Sequence, residues 1–232
     1  MALIRYGEGQ QRSGSIGATV YSHNRYGAYI RARSIPVNPN SDRQVAVRNA
    51  LRSLSIGWEN VLTPEERAKW DEYASNVVWK NKFGDSVKLT GASHYIRSNL
   101  PYFLAFGTTI AKAPDIFNIA TAELKLHVTA AESVQIIVVA FDDSADWASE
   151  DGAYQVVYMG LPQNPNIKFF GGPYRKIGVI AGNSTTPPTS NVEMPAAFPI
   201  AEGQRAWVRT RIGRADGRLS EFAQVNFLVS AS

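Results

Sequence analysis

Cysteine is absent from the 232 residues, and histidine and methionine occur only three times each. Without cysteine there can be no disulfide, no thiolate nucleophile and no thiolate-bound metal. His23, His94 and His127 lie far apart, each in a different kind of segment, and none has a partner at metal-ligand spacing. They read as surface or half-buried imidazoles, and no metal is expected. Long apolar runs are also missing, so no segment approaches a membrane span. The start, Met1-Ala2-Leu3-Ile4-Arg5, passes straight into Gly and polar residues without the apolar stretch of a signal peptide. The expectation is a soluble chain made in the cytoplasm. Lysine is absent from the first 52 residues, whereas arginine occurs there eight times.

Those eight arginines (5, 12, 25, 31, 33, 43, 48, 52) face only Glu8 and Asp42, a net of +6 within an overall +4. The remaining 180 residues therefore sum to −2, which describes a basic arm on a nearly neutral body. Arginine without lysine favours bidentate contacts and interface pairs over a merely solvated face. Nucleic acid, an acidic partner or a neighbouring copy of the chain could meet such an arm.

Along residues 5–40, glycines are scattered among Arg, Ser, Asn and Tyr, with too little aliphatic mass for a core. Ala18–Ser22 and Ala28–Arg33 alternate around the turn-like His23–Gly27, as two strands of a ribbon would. Ile35–Asn40 must be extended because of its prolines. Ser41-Asp42-Arg43-Gln44 matches a capping box, and the helix behind it sets Val47, Leu51, Leu54 and Trp58 on one face. Thr63-Pro64-Glu65-Glu66 starts a second helix, which presents Trp70, Tyr73, Ala74 and Val77. The two should form an antiparallel hairpin. A third helix is expected from about Ala92 to Leu100, after which Pro101 either kinks it or starts a new turn containing Tyr102, Phe103, Leu104 and Phe106. Ala111–Pro114 reads as a linker.

After residue 115 the apolar period changes from 3.6 to 2. Strands are expected at Leu124–Val128, Val134–Phe141, Tyr154–Met159, Lys176–Ala181, Arg205–Ile212 and Glu221–Val229, with a turn at Ala215–Arg218 and a long loop across Gly182–Pro195. The fold class is thus α+β: a β-ribbon arm over residues 1–40, a helical region over 41–114, and a β-sandwich over 115–232.

Catalytic chemistry is not legible. Asp142-Asp143-Ser144-Ala145-Asp146 follows a strand but lacks the glycine and terminal glutamate of a calcium loop, and reads as solvated. Gly7-x-Gly9 and Gly14-x-x-Gly17 precede no strand–helix unit, so they have no phosphate-binding context. No Ser/His/Asp set or positioned acid–base pair is recoverable, and neither an enzyme nor a cofactor is expected. In the arm, tyrosines interleave with arginines, a composition that suits stacking on single-stranded bases or clamping a protein interface. The interface reading is preferred, with Tyr21, Arg25, Tyr26, Tyr29, Arg31, Arg33 and Arg43 as its residues.

One pattern has a family likeness. Gly14-Ser15-Ile16-Gly17, Asn24–Arg33, Pro36-Val37-Asn38-Pro39, Gln44 and Trp58…Leu62-Thr63-Pro64-Glu65-Glu66-Arg67-Ala68-Lys69-Trp70 together resemble proteins encoded by tailed phages and prophages. The resemblance implies a virion structural component located in the particle after synthesis in the host cytoplasm. Its partners would be capsid, head–tail connector or tail subunits and copies of itself. Ala206–Arg211 with Asp216–Ser220 looks like the last hairpin of a fibronectin type III domain, which implies an immunoglobulin- or fibronectin III-like sandwich. The alternatives are a nucleic-acid-binding protein that uses the Arg/Tyr arm and a host-surface adhesion module.

Overall fold

The structure, a computed structural model, describes residues 2–3, 13–24, 27–35, 37–80 and 86–231. The chain is mixed α+β and divides into two units, residues 1–45 and 46–232.

In the first unit, β1 (Ala2–Leu3), β2 (Gly14–Ile16), β3 (Thr19–Asn24) and β4 (Gly27–Ala32) form an antiparallel sheet in the order β1-β4-β3-β2. The expected ribbon is its central pair, with Tyr21 opposite Ile30 and Ser22 opposite Tyr29. Gly17, at φ 57°, takes up the left-handed conformation in the tight turn between β2 and β3.

Helix α1 (Asp42–Ile56) begins directly after Ser41 and runs into one π-helical turn, Gly57–Val61. The apolar face expected for α1 is corrected here. Leu54 and Ala50 are buried and Trp58 packs beside them, but Val47 and Leu51 each remain 37% exposed. Helix α2 (Pro64–Asn76) has the full capping box: Glu66 N donates to Thr63 Oγ1 at 3.2 Å, and Thr63 N donates to Glu66 Oε2 at 2.8 Å. β5 (Trp79–Lys80) and β6 (Ser86–Val87) form a small hairpin. Helix α3 (Gly91–Phe106) extends beyond the expected end, because Pro101 is accommodated inside it; Gly107, at φ 74°, closes it. The main helix pair is α2 with α3 instead of α1 with α2.

Trp70, Tyr73 and Tyr95 fill the centre of this region, with Trp70 edge-on to Tyr73 at 6.0 Å and to Tyr95 at 5.7 Å between ring centres. The same side chains grip the segment that was expected to be a linker. Trp70 Nε1 donates to Ala111 O at 2.8 Å, and Tyr73 Oη donates to Asn118 O at 3.2 Å. Asn99, fully buried, receives Ile110 N at 2.6 Å and donates to Ile110 O at 3.1 Å, which completes a strand-like pairing. Ala113 is buried among them. The chain therefore passes from helices to strands through a pinned segment, and residues 46–232 make one unit.

The remaining strands are β7 (His127–Ala131), β8 (Ile136–Ala140), β9 (Tyr154–Gly160), β10 (Tyr174–Ala181), β11 (Val192–Pro195), β12 (Arg205–Gly213) and β13 (Ala223–Leu228). They form two antiparallel sheets, β11-β8-β7 and β10-β9-β12-β13. Val128, Ile137, Val139 and Met194 from the first share one apolar core with Val157, Met159, Val208 and Ile212 from the second. Strand β11 corrects the long loop expected across Gly182–Pro195. Its pairing with β8 and the burial of Met194 order four residues that show no strong local signal. Leu124, expected in a strand, lies outside β7 and is 86% exposed.

Beyond β13 the chain leaves its sheet and runs parallel beside β7. Ser230 N donates to Ala130 O and Glu132 N to Ser230 O, while Val229 N donates to Gln204 O on the other side.

Trp70→Ala should destabilise the protein by about 3–5 kcal/mol, because it removes a fully buried indole. Lys69→Ala should cost less than about 1 kcal/mol, since its bridge to Glu72 lies in solvent. Urea melts of the two variants check the pair; equal small effects would contradict the packing described.

Candidate functional site

The arm residues singled out from the sequence are only partly brought together. In β3 and β4 the alternation of the strands places Tyr29 and Arg31 on one face with Val20 and Ser22. Arg33, bonded through its backbone to Ala18, continues that parity, whereas Tyr21 lies on the opposite face with Ile30. Arg31 and Arg33 are exposed, Tyr21 and Tyr29 half-buried, and Arg43 is exposed in the first turn of α1. Arg25 and Tyr26 lie outside the described residues. None of residues 13–23, 28–35 and 37–45 is buried, and Ile16, Ile35 and Val37 are 68–90% exposed.

A second concentration of cationic and aromatic side chains occurs on the sheet β10-β9-β12-β13, on the face turned away from the shared core. Outward positions on β12 are Trp207, Arg209, Arg211 and Gly213, opposite Tyr158, Val156 and Tyr154 of β9. A Cβ at Gly213 would run into the ring of Tyr154, so only glycine lets that tyrosine lie flat there beside Tyr102 and Phe106 of α3. The rest of the face is an alternating stack. Arg209 Cζ is 4.1 Å from the ring centre of Tyr174 and 4.3 Å from that of Phe222. Arg211 lies on Phe222 at 4.1 Å and on Trp79 at 5.5 Å, and Arg97 of α3 covers Trp79 at 3.6 Å. The order is Tyr174–Arg209–Phe222–Arg211–Trp79–Arg97.

Each cation–π contact contributes roughly 0.5–2 kcal/mol, offsetting part of the cost of withdrawing the cations from water. None of the three guanidinium groups pairs with a carboxylate among the described residues. Among the described residues the three guanidinium groups make one hydrogen bond, from Arg211 Nε to Ser220 O at 2.9 Å; Nε of Arg97 and of Arg209 are buried without an acceptor there. Burial, reinforced by the nearby charge of Arg97, lowers Arg211 to about 10, and burial lowers Arg97 and Arg209 too. All three remain charged at neutral pH.

His94, one turn before Arg97, is 1% exposed and stands edge-on to Tyr73 at 5.1 Å. Desolvation, aided by the Arg97 charge, lowers it to about 4, so it is held neutral.

The acidic stretch after β8 borders a cavity of about 240 Å³ lined by Glu123, Asp142, Asp146, Trp147 and Arg214. Its carboxylates are largely engaged by the chain: Asp142 pairs with Lys125 at 2.7 Å and caps Ser144, and Glu123 Oε1 accepts from Lys125 N at 2.9 Å. Among the described residues no group of three or more His, Asp or Glu could hold a metal ion. No helix among them is long and apolar enough to cross a membrane.

No protein-family model matches the chain, and no curated protein matches it.

Sequence reasoning missed the arginine–aromatic stack. Its only local signal is Arg205-x-Trp207-x-Arg209-x-Arg211 at period 2, which reads as the wet face of a strand. Trp79, Arg97, Tyr174 and Phe222 come from separate elements, so their convergence has no sequence spacing.

Between pH 6.5 and about 4 the unfolded chain binds a proton that His94 refuses in the fold. The stability this confers is complete above pH 6.5 and is lost progressively as pH falls towards 4. Relative to His94→Gln, the wild type should lose about 2–3 kcal/mol more between pH 7 and about pH 4.5 in denaturant melts. Parallel pH profiles for the two proteins would contradict the assignment.

Proposed function

We propose that this chain is a non-enzymatic structural protein of a phage particle, which joins neighbouring capsid, head–tail connector or tail subunits, and copies of itself, through its N-terminal ribbon. The observation that carries the reading is a sheet with no buried residue on its described faces: residues 1–45 form a unit of their own and order four strands, and none of residues 13–23, 28–35 and 37–45 is buried. Fixing backbone costs roughly 1–2 kcal/mol per residue. Such a sheet recovers that cost when a neighbour covers a face or adds a strand to its edge. Val47 and Leu51 of α1, each 37% exposed, offer a partner apolar area in their own unit. The resemblance of residues 12–75 to tailed-phage proteins supports the same reading.

For the seven strands β7–β13 we infer a fibronectin III-like arrangement. In its favour, the first, second and fifth strands share one sheet, and the fourth joins the third, sixth and seventh in the other. In immunoglobulin constant domains the fourth strand stays with the first sheet.

Deleting residues 1–40 should leave the melting of the rest nearly unchanged and abolish self-association or incorporation into particles, read by sedimentation and by particle composition. Replacing Arg25, Arg31 and Arg33 with Lys should keep the charge and still weaken assembly, because the planar fork is lost. Normal assembly of the Lys protein, together with DNA binding that collapses on added salt, would replace this reading with a nucleic-acid one.

A further inference from the structure

We infer that the outer face of the four-stranded sheet is a docking site for an extended acidic protein segment, whose carboxylates are taken by Arg97, Arg209 and Arg211. This inference does not depend on the ribbon. Three guanidinium groups in one continuous stack repel one another, and among the described residues nothing on the chain neutralises them. Withdrawn from bulk water and unpaired, they favour any ligand that brings negative charge. Their planes are already committed to rings. What remains is the pair of terminal nitrogens: Nε of Arg97 and of Arg209 is buried, neither side chain donates a hydrogen bond to the described residues, and Arg211 spends only Nε, on Ser220. Edge-on N–H pairs match the two oxygens of a carboxylate.

The same commitment argues against single-stranded nucleic acid. Base stacking needs free aromatic faces, and guanidinium groups already cover rings of Trp79, Phe222 and Tyr174. An extended peptide is favoured further by the setting. Strand β13 is a sheet edge, and its exposed Gln224 and Asn226 share the outward face. A segment lying along that edge can use backbone bonds while alternate side chains reach the arginines.

The test is calorimetric titration of the full chain with a synthetic peptide of alternating glutamate and serine, a glutamine counterpart, and inorganic phosphate. The glutamate peptide should bind, more weakly as salt rises, and the glutamine peptide should not. Arg97→Gln and Arg209→Gln should each weaken binding about tenfold, the loss of one charge-assisted hydrogen bond, with unchanged melting temperature. Arg31→Gln and Arg33→Gln, in the basic arm, should leave it unaltered. Should a Gln variant melt early, Arg209→Lys keeps a stacked cation without the fork, and should weaken binding in a folded protein. Absence of glutamate-peptide binding would overturn the inference. So would equal losses from the arm variants, which mean general charge attraction, or phosphate binding as tightly at the same arginines, which means a free small oxyanion is the ligand.

Discussion

The fold of residues 46–232 depends on apolar packing against both faces of one sheet, complete on the inner face and partial on the outer one. Inward residues of β9 and β12, such as Val157, Met159, Val208 and Ile212, meet the three-stranded sheet. Outward residues of the same strands, Tyr154 and Val156, meet Trp79, Leu89 and Tyr102. The three-stranded sheet covers only one of these faces, so the helical region is part of the β structure's own packing. The pinned segment from Ile110 to Asn118 follows from that need, since a loose connection would let the cover lift away. Trp70, Tyr73 and Asn99 hold it through both apolar contact and backbone hydrogen bonds.

Much of this was legible where local chemistry decides the outcome. The Thr63 capping box, the β3–β4 hairpin and the strands from Tyr154, Lys176 and Arg205 carry their signals within a few residues. Where tertiary packing decides, the sequence was silent or misleading. Pro101 marks a helix end by its missing N–H, yet α3 continues through it with Asn99 and Tyr102 engaged on either side. Val47 and Leu51 share the apolar period of Leu54, but only Leu54 has a neighbour to bury it. Strand β11 exists because β8 offers an edge, which no property of Val192–Pro195 announces. The arginine stack is the extreme case, because six side chains from β5, α3, β10, β12 and the segment before β13 meet only after folding.

The two surfaces proposed for interaction differ in kind. The ribbon offers extended backbone and exposed apolar residues, so a partner there would contribute burial. The arginine face is already ordered by its rings and offers a fixed set of donors, so a partner there would contribute charge. A ligand on the second would sacrifice little of the protein's freedom.

Residues 229–230 tie both sheets together, with Val229 bonded to Gln204 on one side and Ser230 to Ala130 and Glu132 on the other. Tension transmitted lengthwise through this segment loads those bonds in shear, so they must break together instead of one after another as in a peeled hairpin. A pull applied at residues 229–230 therefore meets a few backbone bonds first, apart from the arginines and aromatic rings on the outer face of the four-stranded sheet.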